Sequence, residues 1–185
     1  RYFLAGLLAI NELGYHIWLL LTRQWDYHWN LPLHLCSAFV WLSIVMLLFK
    51  NQFIFEMAYL LGVGAAIQPL LTSEVGAYGF PHFYAFQIFI SHGGIITAAL
   101  FMAIVEGMRP TGASLKRVIL WGNLYLVLVT MINFLLDSNY LYTHHKPHIP
   151  TLLDALGPWP WYILAMEAIA IAISLVLYLP FWLHD

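Results

Sequence analysis

Few residues in this chain could do chemistry. One thiol, Cys36, and nine histidines are the available nucleophile and proton carriers. A thiol can attack an acyl carbon while an imidazole takes and returns the proton, with carboxylates or amides holding the ring in place. Glu12 and His16 stand four residues apart, as do Gln87 and Ser91, and Asn133 and Asp137, so each pair shares one helical face. Cys36 shares a face with Val40 and Ser43. His34 lies two residues before Cys36, about 200° round a regular helix, so one of the two faces a pocket and the other a neighbouring helix or the interface. Gln68, His92 and Glu167 complete the set. A lone cysteine allows no intrachain disulfide and no cysteine-based metal cluster. His144, His145 and His148 flank Lys146-Pro147 without any HExxH-like spacing. Neither a metal site nor a cofactor is therefore expected.

These candidates sit in a very apolar chain. Of its 185 residues, 62% are hydrophobic and 9% are Asp, Glu, Lys or Arg, against roughly 25% charged in an ordinary soluble domain. Seven Lys plus Arg make no basic patch for a nucleic acid, and the apolar content excludes disorder. An integral membrane protein remains.

Crossing the hydrocarbon as a helix takes about 20 mostly apolar residues. Six segments qualify: Tyr2–Thr22, Pro32–Phe49, Phe53–Leu71, His82–Gly107, Leu115–Asp137 and Trp159–Trp182. None alternates polar and apolar residues at period two, which argues against a β-barrel. The expected fold is all-α, a polytopic helical bundle forming one domain over residues 1–185. The abrupt start at Arg1-Tyr2-Phe3-Leu4 suggests one further amino-terminal span, a seventh, in the full-length protein.

The breaks have local causes. Trp25, Tyr27 and Trp29 read as an interfacial aromatic belt. Asn30-Leu31-Pro32 starts the second span, with proline in the first turn where its missing N–H costs nothing. Lys50-Asn51-Gln52 makes a tight turn. Pro69 kinks or ends the third span. Gly76, Gly79 and Pro81 precede the fourth, and Arg109-Pro110-Thr111-Gly112 precedes the fifth. The small-residue runs Gly62–Ala66 and Gly93-Gly94 permit close helix packing. The side bearing Arg1, Lys50, Arg109, Lys116 and Arg117 outweighs the side bearing Arg23 and Lys146, which puts the first side in the cytoplasm. The three connections on the second side then face outward.

An ionisable group at mid-membrane costs about 2.5–3.5 kcal/mol on insertion scales, so each needs a reason. Glu12, His16, His34, Cys36, Gln68, His92, Asn133, Asp137 and Glu167 all fall in the outer half or middle of their spans, and sharing one cavity would satisfy them together. Plain structural roles compete. Glu12–His16 can be a satisfied buried pair, Asn133–Asp137 can cap or join helix ends, and a lone cysteine in a span is most often a packing residue.

Two strings are specific. Leu31-Pro32-Leu33-His34-Leu35-Cys36 is one. The other comprises Asn139-Tyr140-Leu141-Tyr142, Lys146-Pro147, Leu152-Leu153-Asp154 and Leu156-Gly157-Pro158-Trp159-Pro160-Trp161-Tyr162. Together they resemble the bacterial YwaF-like integral membrane family over nearly the whole chain, which implies residence in a bacterial cell membrane. More distantly, the chain is similar to an animal transmembrane acyltransferase family acting on phospholipids, which uses a cysteine and a histidine on different spans. Carried over by order and spacing, that resemblance implies Cys36 as nucleophile and His92 as its proton acceptor. Membrane lipids are then the expected partners. Glu12, Asn133 or Asp137 would orient the histidine.

Depth limits the pairing. Cys36 lies about 6 Å below Pro32, and His92 about 15 Å below His82, at about 1.5 Å per residue. Contact requires the fourth span to start higher or the second deeper; otherwise His34 is the rival base. Two functions therefore stand side by side: a lipid acyltransferase or thioesterase-like enzyme, and a non-catalytic transporter or small-ligand-binding protein using the same cavity. A folding or assembly partner is a third. Against a transporter, no inverted repeat or pair of broken helices is visible.

Overall fold

The computed structural model describes residues 1–71, 78–147 and 151–183, with Leu152 described in its backbone alone. Its principal helices are α1 (Tyr2–Leu21), α2 (Leu35–Phe49), α3 (Gln52–Leu71), α4 (Phe83–Ile104), α5 (Gly112–Leu136) and α6 (Trp161–Trp182). All but α2 are long and apolar enough to cross a membrane, giving five such helices among the described residues. The protein is a polytopic, all-α integral membrane protein.

The second helix departs from expectation. Pro32 does not open it; His34 is the N-cap and helical backbone begins at Leu35. Fifteen residues make about 22 Å, short of the roughly 30 Å hydrocarbon core. The irregular stretch before it is held by two distant hydroxyls. Tyr140 accepts from the Leu31 N–H at 3.0 Å and donates to the Tyr27 carbonyl at 2.6 Å, while Tyr125 donates to the Leu33 carbonyl at 3.0 Å. Non-helical backbone at membrane depth is stable only when other protein groups satisfy it. These tyrosines do so.

Helix α3 also has an internal irregularity. A π turn, Ala58–Gly62, interrupts it, and α6 docks there, the Ser174 hydroxyl donating to the Leu60 carbonyl at 2.8 Å. Pro69 does not end the helix, which runs on to Leu71. Its effect is chemical: a proline at 69 has no N–H for the Ala65 carbonyl four residues back.

In a bilayer, lipid tails are as apolar as leucine, so helices associate through close packing rather than through exclusion of water. The glycines show this. A Cβ on Gly94 would lie 2.4 Å from Leu8 Cδ2, one on Gly64 2.8 Å from Ile173 Cγ2, and one on Gly62 3.0 Å from the Phe39 ring. These contacts bring α4 onto α1, α6 onto α3 and α2 onto α3. Gly93 is different, since nothing lies within 4 Å of its Cβ position. The core is built from α1 to α4, around Leu8, Val40, Met46, Leu47, Phe55, Leu60, Ile95 and Met102. Helix α5 adds Val118 to it, Leu177, Tyr178 and Phe181 of α6 pack against it, and both helices bury less of themselves than α3 or α4.

Polar clamps fix which ends lie together. At the end where the chain starts, here called proximal, Glu106 pairs with Lys50 and lies 3.8 Å from Arg1. Gln52 donates to the Arg109 carbonyl at 2.8 Å. Buried Glu56 accepts two 2.8 Å hydrogen bonds from Arg117. At the opposite, distal end, buried Asn133 organises the connection between α5 and α6. Its amide nitrogen donates to the Tyr140 carbonyl (2.8 Å) and the Thr143 hydroxyl (2.9 Å), and its oxygen accepts from Ser138 (2.8 Å) and the Tyr140 N–H (2.9 Å).

Candidate functional site

The side chains nearest to chemistry gather in the distal half, at the start of α2. Cys36 stands in the first turn, and its thiol donates to the Ala65 carbonyl at 3.5 Å. That carbonyl is the one Pro69 leaves without an N–H. A carbonyl only accepts, so the resting sulfur carries its proton. Ala65 is six residues in from the end of α3, about 9 Å along the helix axis. The irregular entry to α2 thus carries Cys36 into the bundle, against α3.

His34 and His92 differ in which nitrogen is free. The Leu141 N–H donates to His34 Nδ1 at 3.4 Å, so a neutral His34 keeps its proton on Nε2. His92 Nδ1 lies 2.8 Å from the Ile88 carbonyl, so there Nδ1 carries the proton and Nε2 the lone pair. Only His92 thus offers Nε2 as a base. Helices α2 and α4 pack directly on one another. Among the described residues, the Cys36 thiol bonds Ala65 and His92 bonds Ile88, and no hydrogen bond joins the two.

Beside His92, α1 and α4 share a buried polar network. Asn11 donates to the Ser91 hydroxyl (2.9 Å) and the Gln87 carbonyl (3.3 Å). Gln87 donates to Ser91 (3.1 Å) and to the Glu12 carboxylate (3.4 Å). The His16 imidazole is 3.7 Å from Glu12 through Nε2, and its Nδ1 accepts from the Trp25 indole at 3.2 Å. Glu12 and His16 are thus linked, and Gln87 and Ser91 on α4 tie them to the strand of residues ending at His92.

Aromatic side chains continue the site toward the distal surface. The His34 ring lies 5.1 Å from Tyr140 and 5.4 Å from Tyr142, centroid to centroid. Burial pushes the Tyr142 phenol above its ordinary pKa, and the neighbouring Cys36 thiol adds to the effect. The Tyr84 ring is 5.9 Å from that of Tyr15. Tyr142 and Leu141 both have positive φ, 54° and 57°, a conformation costing non-glycine residues about 1–2 kcal/mol each. The Asn133 hydrogen bonds and that from the Tyr162 hydroxyl to the Tyr142 carbonyl hold them there.

The remaining candidates are dispersed. Asn133 serves the connection rather than the thiol. Asp137 is exposed at the left-handed C-cap of α5, with φ 52°. That turn takes it off the helical face that i,i+4 spacing would give it. Gln68 is exposed on α3. Half-buried Glu167 accepts from Asn123 at 2.7 Å, joining α5 to α6. Gly76 and His148 lie outside the described residues. Sequence reasoning gave no role to Tyr84, Tyr140 or Tyr142. The Asn139-Tyr140-Leu141-Tyr142 string was the only local signal for the last two. An apolar groove of about 300 Å³ opens between α5 and α6, lined among others by Leu126, Thr130, Phe134, Thr143 and Ile163.

The sequence model of one family, described as the TMEM164 family, matches residues 1–178. It is an animal transmembrane family, and the bacterial YwaF-like naming is not part of the match. No curated protein and no solved structure matches the chain.

Proposed function

We propose that this chain, which belongs to the TMEM164 family, is a lipid acyltransferase or thioesterase-like enzyme with Cys36 as nucleophile and His92 as base. The tautomer of His92 carries the reading. The Ile88 carbonyl holds the proton on Nδ1 and leaves Nε2 free to accept one, whereas His34 has its Nδ1 occupied by the Leu141 N–H. His92 Nε2 takes the thiol proton as Cys36 attacks the ester carbonyl of a membrane lipid. The lysolipid leaves with that proton, and a hydroxyl-bearing acceptor or water then cleaves the thioester by the reverse steps. The polar network through Asn11, Glu12, Gln87 and Ser91 positions α4 against α1 and with it His92. The groove between α5 and α6 suits an acyl chain entering from the bilayer.

Three further features belong to this reading. Helix α2, lengthened by its irregular entry, makes a sixth crossing within a single domain. The proximal end, with five of the seven Lys and Arg, faces the cytoplasm, so the site lies in the outer half. The strings around Cys36 and Trp159 support the YwaF-like relationship and a cell-membrane location as well.

An electrophilic lipid probe in vesicles tests the nucleophile. It should label the wild type and not Cys36→Ser. Unchanged lipid turnover by Cys36→Ser would overturn the enzyme reading and leave the pocket to ligand binding or transport.

A further inference from the structure

Along the groove between α5 and α6, polar groups are engaged within the protein until its proximal end. The Thr130 hydroxyl donates to the Leu126 carbonyl at 2.7 Å, and at the distal mouth the Trp159 indole donates to the Thr143 carbonyl at 2.9 Å. The other end differs. Helix α5 runs toward the distal end and α6 away from it. Asn123 stands four residues before Val127, and Glu167 four residues after Ile163, so each shares a helical face with a residue of the groove wall. The two meet there, the Asn123 amide donating to Glu167 Oε1 at 2.7 Å. Glu167 Oε2 makes no hydrogen bond among the described residues, and the side chain is only half-buried. Glu167 lies six residues beyond Trp161, about 9 Å along the axis of α6. Trp159 and Trp161 are exposed, as interfacial aromatics are. An apolar groove thus ends, inside the membrane, on an acceptor oxygen that no described residue fills, a costly arrangement in a span.

We infer that this groove binds an acyl chain carrying a mid-chain hydroxyl, which donates to Glu167. This rests on the reading of the groove as an acyl-chain site and is independent of Cys36. A plain hydrocarbon chain fills the groove but offers Glu167 no donor. A hydroxylated chain fills it equally and supplies one, while Asn123, itself bonded to the Ile119 carbonyl at 2.9 Å, fixes the carboxyl group from the other side. Two other donors fit less well. A ligand entering from the bilayer must shed its water first, and an ammonium is far costlier to strip than a hydroxyl. A sterol keeps its hydroxyl at the interface, about 9 Å short of Glu167. A mid-chain hydroxyl reaches that depth with its ester still near the distal mouth.

The test uses the full chain in dioleoylphosphatidylcholine vesicles. A phosphatidylcholine with a diazirine on one acyl chain is photocrosslinked to the protein, and the adducts are mapped by peptide mass. Two phosphatidylcholines compete with it, one bearing a stearoyl chain and one the same chain hydroxylated at its middle. The hydroxylated lipid should displace the probe from residues 126–134 and 159–163 about tenfold better, roughly the gain from one hydrogen bond to a charged acceptor. Glu167→Met keeps the side-chain length and removes the acceptor, and Asn123 retains its bond to Ile119. In that variant, and in Glu167→Leu as a second of the same kind, the two lipids should compete equally. Equal competition in the wild type, or an advantage that survives in both variants, would overturn the hydroxyl site and leave the groove to plain chains. Displacement by cholesterol as strong as by the hydroxylated lipid would give the site to a sterol and overturn it too. Crosslinks that avoid both segments would overturn the acyl-chain reading of the groove itself. Cys36→Ser should bind as wild type does, so loss of the nucleophile and loss of this site are read separately.

Discussion

Replacing Gly94 with alanine should push α4 away from α1. The new Cβ would stand 2.4 Å from Leu8 Cδ2, 3.2 Å from its Cγ and 3.6 Å from its Cδ1. Leu8 is fully buried, so its side chain cannot swing clear without displacing its neighbours. Overpacking of this kind costs about 1–3 kcal/mol. Alanine regains about 0.5–1 kcal/mol over glycine within a helix, so the net loss should fall in the range of about 0–2.5 kcal/mol. Gly93 is an internal control, because its Cβ position meets nothing within 4 Å and Gly93→Ala should stabilise by the helix term alone. Reversible unfolding in mixed micelles would give both values. Leu8→Ala removes the clash, so combined with Gly94→Ala it should cost about 1–2 kcal/mol less than the sum of the single changes. Equal stability of the Gly93 and Gly94 variants, or simple additivity with Leu8→Ala, would refute the close α1–α4 contact.

Other expectations follow from the clamps. Arg117→Ala should destabilise the fold, because it strands the buried Glu56 carboxylate, and Glu56→Gln should cost less, since the half-exposed Arg117 can still reach water; the reverse order in unfolding would contradict this. Asn133→Ala removes four hydrogen bonds and should cost about 2–4 kcal/mol by summed partial losses, with hydrogen exchange accelerated first around residues 138–143. The Lys50 ammonium, and less strongly Arg1, hold Glu106 below the usual carboxylate range. Its stabilisation is therefore present above the unfolded carboxylate pKa and is lost as pH falls through the lower folded value. A pH series should show wild type losing more stability on acidification than Glu106→Gln, and parallel curves would exclude the clamp.

Composition and run length were enough to read the membrane class and most helices, because about 20 apolar residues leave a chain few alternatives. The start of α2 was not legible. Pro32 is a sound local signal, but the hydroxyls of Tyr125 and Tyr140, about a hundred residues away in sequence, hold the backbone around it non-helical. Pro69 read as a kink or an end; the helix continues, and the carbonyl that the proline leaves without an N–H serves Cys36. Spacing found Glu12 with His16 but could not supply their partners Gln87 and Ser91 on another helix. For Asn133 and Asp137 the same spacing failed, because the helix ends between them and the left-handed cap turns Asp137 outward. Tyr140 and Tyr142 come from a connection whose role depends on contacts made only after folding.

The most direct test is the rate at which Cys36 acquires an acyl group from phospholipid in the two histidine variants, read by intact mass and released with hydroxylamine. Wild type should acquire a thioester and Cys36→Ser none, with formation slowed by about 10²–10⁴-fold in His92→Ala, the range for a general base, a larger deficit than in His34→Ala. Full-rate acylation in His92→Ala with loss in His34→Ala would contradict this.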